Sequence, residues 1–331
     1  MDKYNDIELF YKASSQDTSN IYAKPKNPFD LFITKNIWYK HFGSNHKICI
    51  LSFPGGLDKV DIIAPMKIKD DQISFLGDKS LFDYQDLIYS NEYEDKNYIK
   101  DINKFFSEIS KIPNVENFTF ESVSDQSYLL KYCRENIDAL WEFDIKFEDV
   151  CPMINLEASW ESYLTNLKKK YRHELKRKIK RINLSGKVDH YELIDKNEIM
   201  KNIDYFFELL RSSSGEKSNF LTPKYQDFFV DLLDNLSLCD DLVRLSFLEF
   251  ENSKVASSLS FVMNNTRFLY NSGYDPNFSE LSVGLINHAY SIKLSIEQNI
   301  KIFDFMRGDE RYKYHLGAED TRLFTILGKR K

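Results

Sequence analysis

Several common signatures are missing from this chain of 331 residues. It has four cysteines, Cys49, Cys133, Cys151 and Cys239, far apart and without a CxxC pair. That argues against a zinc site or disulfide framework and fits a reducing compartment. No apolar run approaches the ~18–20 residues of a membrane span. The start, MDKYNDIELFYK, lacks a basic-then-apolar leader pattern. Cations are not in excess either. Lys and Arg total 45 against 51 Asp and Glu, for a net charge of −6, so the chain as a whole has no nucleic-acid footprint. These absences predict a cytoplasmic protein with no metal and no transmembrane segment; a peripheral membrane contact stays compatible with them.

What is present suits two ordinary domains with real cores. The aromatic share, 15%, is high, and aromatics line pockets as well as fill cores. Residues 1 to about 26 read as an edge strand or loose arm. Asn27-Pro28-Phe29 opens a helix with Ile33, Ile37, Trp38 and Phe42 on one face and Gly43 as its stop. Strands follow over 46–53, 60–66 and 72–76, with Pro54-Gly55-Gly56 as a turn. A helix over 96–109, a strand over 115–120 and a short helix over 127–136 complete an α/β half. Tyr84 and Asp86 can face a ligand or settle a loop.

In the second half, Phe143–Phe147 and Met153-Ile154 read as short extended pieces on either side of Pro152. Trp160 opens one long helix with Leu164, Leu167, Tyr171, Leu175, Ile179 and Ile182 as an apolar stripe. Its other faces carry Lys168, Lys169, Lys170, Arg172, Lys176, Arg177, Lys178, Lys180 and Arg181. In an acidic chain this block is either a solvated face or a surface for anions: phosphates, an acidic substrate or an anionic membrane. Gly186 ends the helix and a strand follows over 187–193. Two amphipathic helices, 199–211 and 225–236, flank a polar loop at 212–219; Thr222-Pro223 caps the second. A meander follows over 243–250, 254–263 and 267–274, turning at Asn252-Ser253 and Asn264-Asn265. Ser282-Val283-Gly284 starts a helix to about Gln298, and a last strand covers 322–327.

The segment between those two, NIKIFDFMRGDERYKYHLG at 299–317, organises the reading. Ile300, Ile302, Phe303 and Phe305 form a buried strand that Asp304 interrupts. Arg307, Gly308, Asp309, Glu310, Arg311, Tyr312 and Lys313 crowd its exit, where α/β folds place ligands.

The order of the second half resembles the GNAT acyltransferase fold, and more closely a tandem branch labelled CelD/BcsL-type, tied to polysaccharide biosynthesis and related to Fem-type peptidyltransferases. Tyr274-Asp275, Ser282-Val283-Gly284, Phe303-Asp304-Phe305, Arg307-Gly308-Asp309, Tyr312-Lys313 and the basic helix carry the resemblance. Asn27-Pro28-Phe29, Trp38, Ala64-Pro65 and Asp83-Tyr84-Gln85-Asp86 carry it more loosely. The family's Gln/Arg-x-x-Gly-x-Gly/Ala phosphate loop is reduced here to Ser282-Val283-Gly284.

The resemblance implies an α/β (α+β) chain of two tandem GNAT-like domains, each a mixed, mostly antiparallel sheet flanked by helices. Residues 1–150 would be a degenerate first domain and 151–331 the domain with the acyl-CoA site. It implies acetyl-CoA or another acyl-CoA as co-substrate, held by Tyr274, Ser282, Val283 and Gly284. The strands at 267–274 and 300–305 would part to admit pantetheine. Tyr312 is either the acid that protonates the leaving thiolate or a packing tyrosine. Lys313 is either a cation beside the acyl group or a salt-bridge lysine. Asp304 is either the base or a buried partner of Arg307. Arg307, Asp309, Asp275, Arg172 and Arg177 would meet a small-molecule amine acceptor, such as a nucleotide-linked amino sugar, in a cleft between the domains. Two alternatives stay open: Fem-like transfer from aminoacyl-tRNA, the one reading with a nucleic acid partner, and a non-catalytic binding protein that keeps the fold.

Overall fold

The computed structural model describes residues 3–4, 25–53, 62–90, 93, 98–135, 138–213, 219–239 and 241–331. They fall into two compact units: residues 1–150 with 321–331, and residues 151–320.

The first unit contains β1 (Lys3–Tyr4), α1 (Phe32–Phe42), β2 (Lys47–Phe53), β3 (Ile62–Lys69), β4 (Gln72–Phe75), β5 (Ile88–Tyr89), α2 (Tyr98–Ile109), β6 (Asn117–Ser124) and α3 (Tyr128–Glu135). It also holds the first ten residues of β7 (Trp141–Asn155) and most of β13 (Glu319–Arg330). The strand order is β1-β2-β3-β4-β6-β13-β7. β4 and β6 run parallel, while β2–β3, β3–β4 and β6–β13 are antiparallel. Hydrophobic periodicity puts Ile99, Ile102, Phe105, Phe106 and Ile109 on one face of α2; the last four are buried, whereas Ile99, at the first turn, is exposed. Beyond the end of β4 the sheet stays closed: Gln85 N–H donates to Ser122 O at 3.0 Å, and Phe75 stacks on Phe120 with ring centroids 4.4 Å apart.

The second unit contains the end of β7, α4 (Trp160–Asn166), α5 (Lys169–Ser185), β8 (Val188–Leu193), α6 (Lys196–Ser213), α7 (Pro223–Leu236), β9 (Val243–Phe250), β10 (Ser253–Met263), β11 (Thr266–Tyr274), α8 (Val283–Glu297), β12 (Ile302–Asp304) and α9 (Arg311–His315). Its strand order is β7-β12-β11-β10-β9-β8, with β11–β12 the parallel pair. Each unit is thus a mixed, mostly antiparallel sheet flanked by helices. Each also repeats one order: a three-strand meander, a helix, a parallel strand and a short helix.

Three expectations change. The extended pieces at 143–147 and 153–154 are one 15-residue strand, β7. Pro152 stands between the two pieces in sequence. In the fold the Glu148 carboxylate accepts Ser122 N–H at 2.9 Å and the Thr325 hydroxyl at 2.6 Å, which pins the strand instead of ending it. The long basic helix is two helices, because Leu167 and Lys168 are extended (ψ 142° and 133°). Leu167 is buried there, so the apolar stripe runs through the break and periodicity alone could not show it. Finally, residues 321–331 join the first unit, not the second, because β13 pairs with β6.

The edge strand expected within residues 1–26 is seen only at Lys3–Tyr4; the arm, the Pro54-Gly55-Gly56 turn and residues 214–218 of the polar loop lie outside the described residues.

Candidate acyl-transfer site

The site begins where two strands part. β12 pairs with β11 only at Ile302–Thr266, Phe303–Arg267 and Asp304–Phe268. Past that point the chain follows β7, as Phe305 N–H donates to Pro152 O at 2.9 Å. β11 stays with β10 as far as Tyr274. A bulge at Tyr270, where the β10–β11 register shifts, adds local twist and turns β11 away. Leu269–Tyr274 therefore runs on without β12.

A cavity of about 270 Å³ opens at this point. β11 supplies Ser272, Gly273 and Tyr274, the start of α8 supplies Ser282 to Leu285, and α9 supplies Tyr312. Ser282 adopts the left-handed conformation (φ 59°, ψ 37°) and makes no side-chain cap. The first intrahelical bond is Ile286 N–H to Ser282 O, so Val283, Gly284 and Leu285 N–H have no helical acceptor. Together with the positive end of the helix dipole, these suit an anion. A Cβ on Gly284 would stand 3.2 Å from the Tyr274 ring, which explains a glycine there.

α8 is held by its buried face. Val283 and Ile286 pack with Leu248, Val255, Ala256 and Ile182 in one apolar cluster. Ile182 belongs to α5, so α5 lies beside the start of α8. Its neighbour Arg181 donates from Nη2 to Ser282 Oγ at 3.2 Å.

The expected residues divide clearly. Tyr274, Ser282, Val283, Gly284 and Tyr312 line one cavity. Tyr312 stacks on His288, with centroids 5.0 Å apart and planes 17° from parallel, and meets Phe305 edge-on. Among the described residues its hydroxyl has no hydrogen-bond partner. Burial, with the Glu310 carboxylate a smaller cause, pushes this phenol well above its usual range and keeps it protonated.

Lys313 does not face the cavity as a spare cation. It is buried, and Nζ donates to Met306 O (3.1 Å), Arg307 O (2.7 Å) and Gly308 O (2.9 Å) and pairs with Glu310 at 2.9 Å. An ammonium has three donors, so these carbonyls take them all. Its place is to hold the loop that carries Glu310 and Tyr312. Asp304 is also buried and inward; its Oδ1 accepts Met306 N–H at 2.7 Å. Asp275 accepts Asn277 N–H at 2.9 Å and caps the turn before Ser282. Arg172 donates to Thr165 O at 2.8 Å, at the end of α4. Arg177 and Asp309 are exposed, Arg307 is half-buried, and none of the three lines the cavity.

Among residues absent from the expected set, Ser257, Asn287, His288 and Glu310 line the cavity, and Arg181 reaches its rim. Glu310 stood in the charged cluster with nothing to distinguish it. Asn287 gave a faint signal, a polar residue on the apolar face of α8. Arg181 was one of nine cations on a helix. Among the described residues no group of His, Cys, Asp and Glu could hold a metal ion, and no helix is long and apolar enough to cross a membrane.

Comparison with known proteins agrees with this geometry. Residues 169–314 match the family model of the acetyltransferase (GNAT) domain. That span runs from α5 to α9. The chain also resembles solved structures along nearly its whole length. A conserved protein of unknown function from Bacteroides thetaiotaomicron matches at TM-score 0.60 and 12% identity, over 94% of both chains. FemX matches at 0.60 and 13%, over 98% of this chain and 97% of that one. L-PGS from Bacillus licheniformis matches at 0.55 and 10%, over 95% and 94%. At such identities the likeness is one of fold. None of the curated proteins matches the chain in sequence.

Proposed function

We propose that the second unit transfers an acyl group from a coenzyme A thioester to an amine. The observation that carries this is the gap between β11 and β12, opening onto a cavity with an uncapped helix start on one side and Tyr312 on another. The stretch Leu269–Tyr274, from which β12 has parted, suits the amide-bearing pantetheine arm. The N–H groups of Val283, Gly284 and Leu285, with Arg181, suit the pyrophosphate.

In the reaction the amine nitrogen attacks the thioester carbonyl carbon, and the C–S bond then breaks. Tyr312 gives its proton to the leaving sulfur as the C–S bond breaks and recovers one from solvent after the products leave. Glu310 borders the same cavity and is half-exposed, so it can take the amine proton and pass it to solvent. It replaces Asp304, whose carboxylate is buried against the backbone. His288 fixes the Tyr312 ring by stacking.

The acceptor we favour is an amino sugar, nucleotide-linked and destined for a surface polysaccharide, as in the CelD/BcsL-type branch. Thiol release from acetyl-CoA with a panel of amino sugars tests this. Release with any amine supports the reaction; silence across the panel with no thermal shift from CoA leaves a non-catalytic binding protein.

One observation favours a second reading. The exposed face of α5 carries Lys169, Lys170, Lys176, Arg177 and Lys180, beside Lys168 at its cap. Such a face suits a polyanion, as Fem-like use of aminoacyl-tRNA requires. Turnover of aminoacyl-tRNA that falls steeply with salt, without thioester turnover, would decide for it.

A further inference from the structure

The cavity reaches two polar side chains that acyl transfer itself does not use. Ser257 lies on β10 opposite Gly273, and Asn287 lies one turn beyond Gly284 on α8. Both line the cavity and both are 0% exposed. Among the described residues neither Ser257 Oγ nor Asn287 Oδ1 has a hydrogen-bond partner.

Asn287 Nδ2–H donates to Ser258 Oγ at 3.3 Å, and Ser258 Oγ lies 2.6 Å from Ser246 Oγ, where either hydroxyl can donate to the other. With Nδ2 engaged there, Asn287 Oδ1 is the unmet acceptor.

A buried acceptor with no donor is costly, and a methyl group placed against it does not relieve that cost. A hydroxyl or an ammonium does. We infer that the cavity selects an acyl group carrying its own hydrogen-bond donor close to the carbonyl, a hydroxyacyl or aminoacyl group, over a purely aliphatic one. The inference rests on the thioester-binding reading above and sharpens it: Asn287 and Ser257 set the acyl specificity.

Calorimetry with the full chain tests it, using CoA, propionyl-CoA and glycolyl-CoA. The last two match closely in size and differ chiefly in the hydroxyl. Glycolyl-CoA is expected to bind about tenfold tighter than propionyl-CoA, the discrimination of roughly one satisfied buried hydrogen bond. Asn287→Leu, similar in volume, is expected to cut that ratio below about threefold. Ser257→Ala carries the same test should Asn287→Leu not fold. Equal or tighter binding of propionyl-CoA, or a ratio unchanged in the folded variants, overturns the inference while leaving thioester binding intact. Failure of CoA itself to bind overturns both.

Discussion

Arg181 Nη2 donates to Ser282 Oγ at 3.2 Å and so ties α5 to the first turn of α8. The guanidinium thus stands where the open N–H groups of Val283 to Leu285 gather. Arg181→Ala is expected to weaken CoA binding about tenfold, the scale of one charge-assisted hydrogen bond, and to flatten its salt dependence. The melting temperature should move by only a degree or two, because the residue is partly exposed. Titrations at two salt concentrations check this. Arg172→Ala, whose side chain holds Thr165 O instead, should leave CoA affinity as it is.

Tyr312 ends in a hydroxyl without a hydrogen-bond partner among the described residues. Tyr312→Phe removes the proton donor but keeps the stack on His288. Loss of a general acid lowers kcat about 10²-fold or more. The expected result is that loss with an unchanged KM for the thioester and an unchanged melting temperature. Burial also raises the phenol's pKa in the folded state, so folding binds its proton more tightly. Stability from this group is present below the usual phenol pKa, about 10, and falls as pH rises above it.

Lys313 acts through the loop it holds. Lys313→Met would leave the carbonyls of Met306, Arg307 and Gly308 without their donor. Each unmet buried group costs roughly 1–3 kcal/mol. Urea denaturation should show a loss of about 3 kcal/mol, and Lys313→Arg should not restore it because the fork does not fit three converging carbonyls. A catalytic cation would give the opposite pattern, a large fall in kcat at full stability.

Two lysines of the first unit give a pH signature. Lys35 donates to Leu76 O at 3.2 Å, and Lys67 bonds Gly77 O and lies over the Trp38 ring at 4.3 Å. Burial lowers each to about 8. The unfolded chain holds these protons up to about 10.4, so between pH 8 and 10 it binds more of them than the folded chain. Stability should therefore rise across that window. Thermal unfolding at pH 8, 9 and 10 checks the sign, and Lys35→Met should reduce the slope.

Much of this architecture was legible from local chemistry. Thr222-Pro223 starts α7 as written, with Thr222 accepting Tyr225 N–H, and Asn252, Asn264 and Asn265 turn the meander with positive φ. The parting of β11 from β12, and Tyr274, Gly284 and Tyr312 as site residues, were what the family resemblance implied, and the three residues line one cavity. What stayed hidden depended on distant partners. Nothing in the sequence ties Glu148 to Ser122 and Thr325, its partners within the continuous strand β7. Leu167 fits a helical stripe whether or not the helix continues. Lys313 and Glu310 are equal members of a charged run, and only the fold turns the first onto carbonyls and the second toward the cavity. Arg181 is singled out by Ile182, whose burial brings α5 to α8.

The central claim is that β11, past the point where β12 parts from it, receives the thioester arm. Amide hydrogen exchange over Leu269–Tyr274, with and without saturating CoA, tests it most directly. The account predicts that these amides become markedly slower to exchange with CoA, together with Val283 to Leu285, while the first unit does not change. Exchange over Leu269–Tyr274 that is the same with and without bound CoA would contradict it.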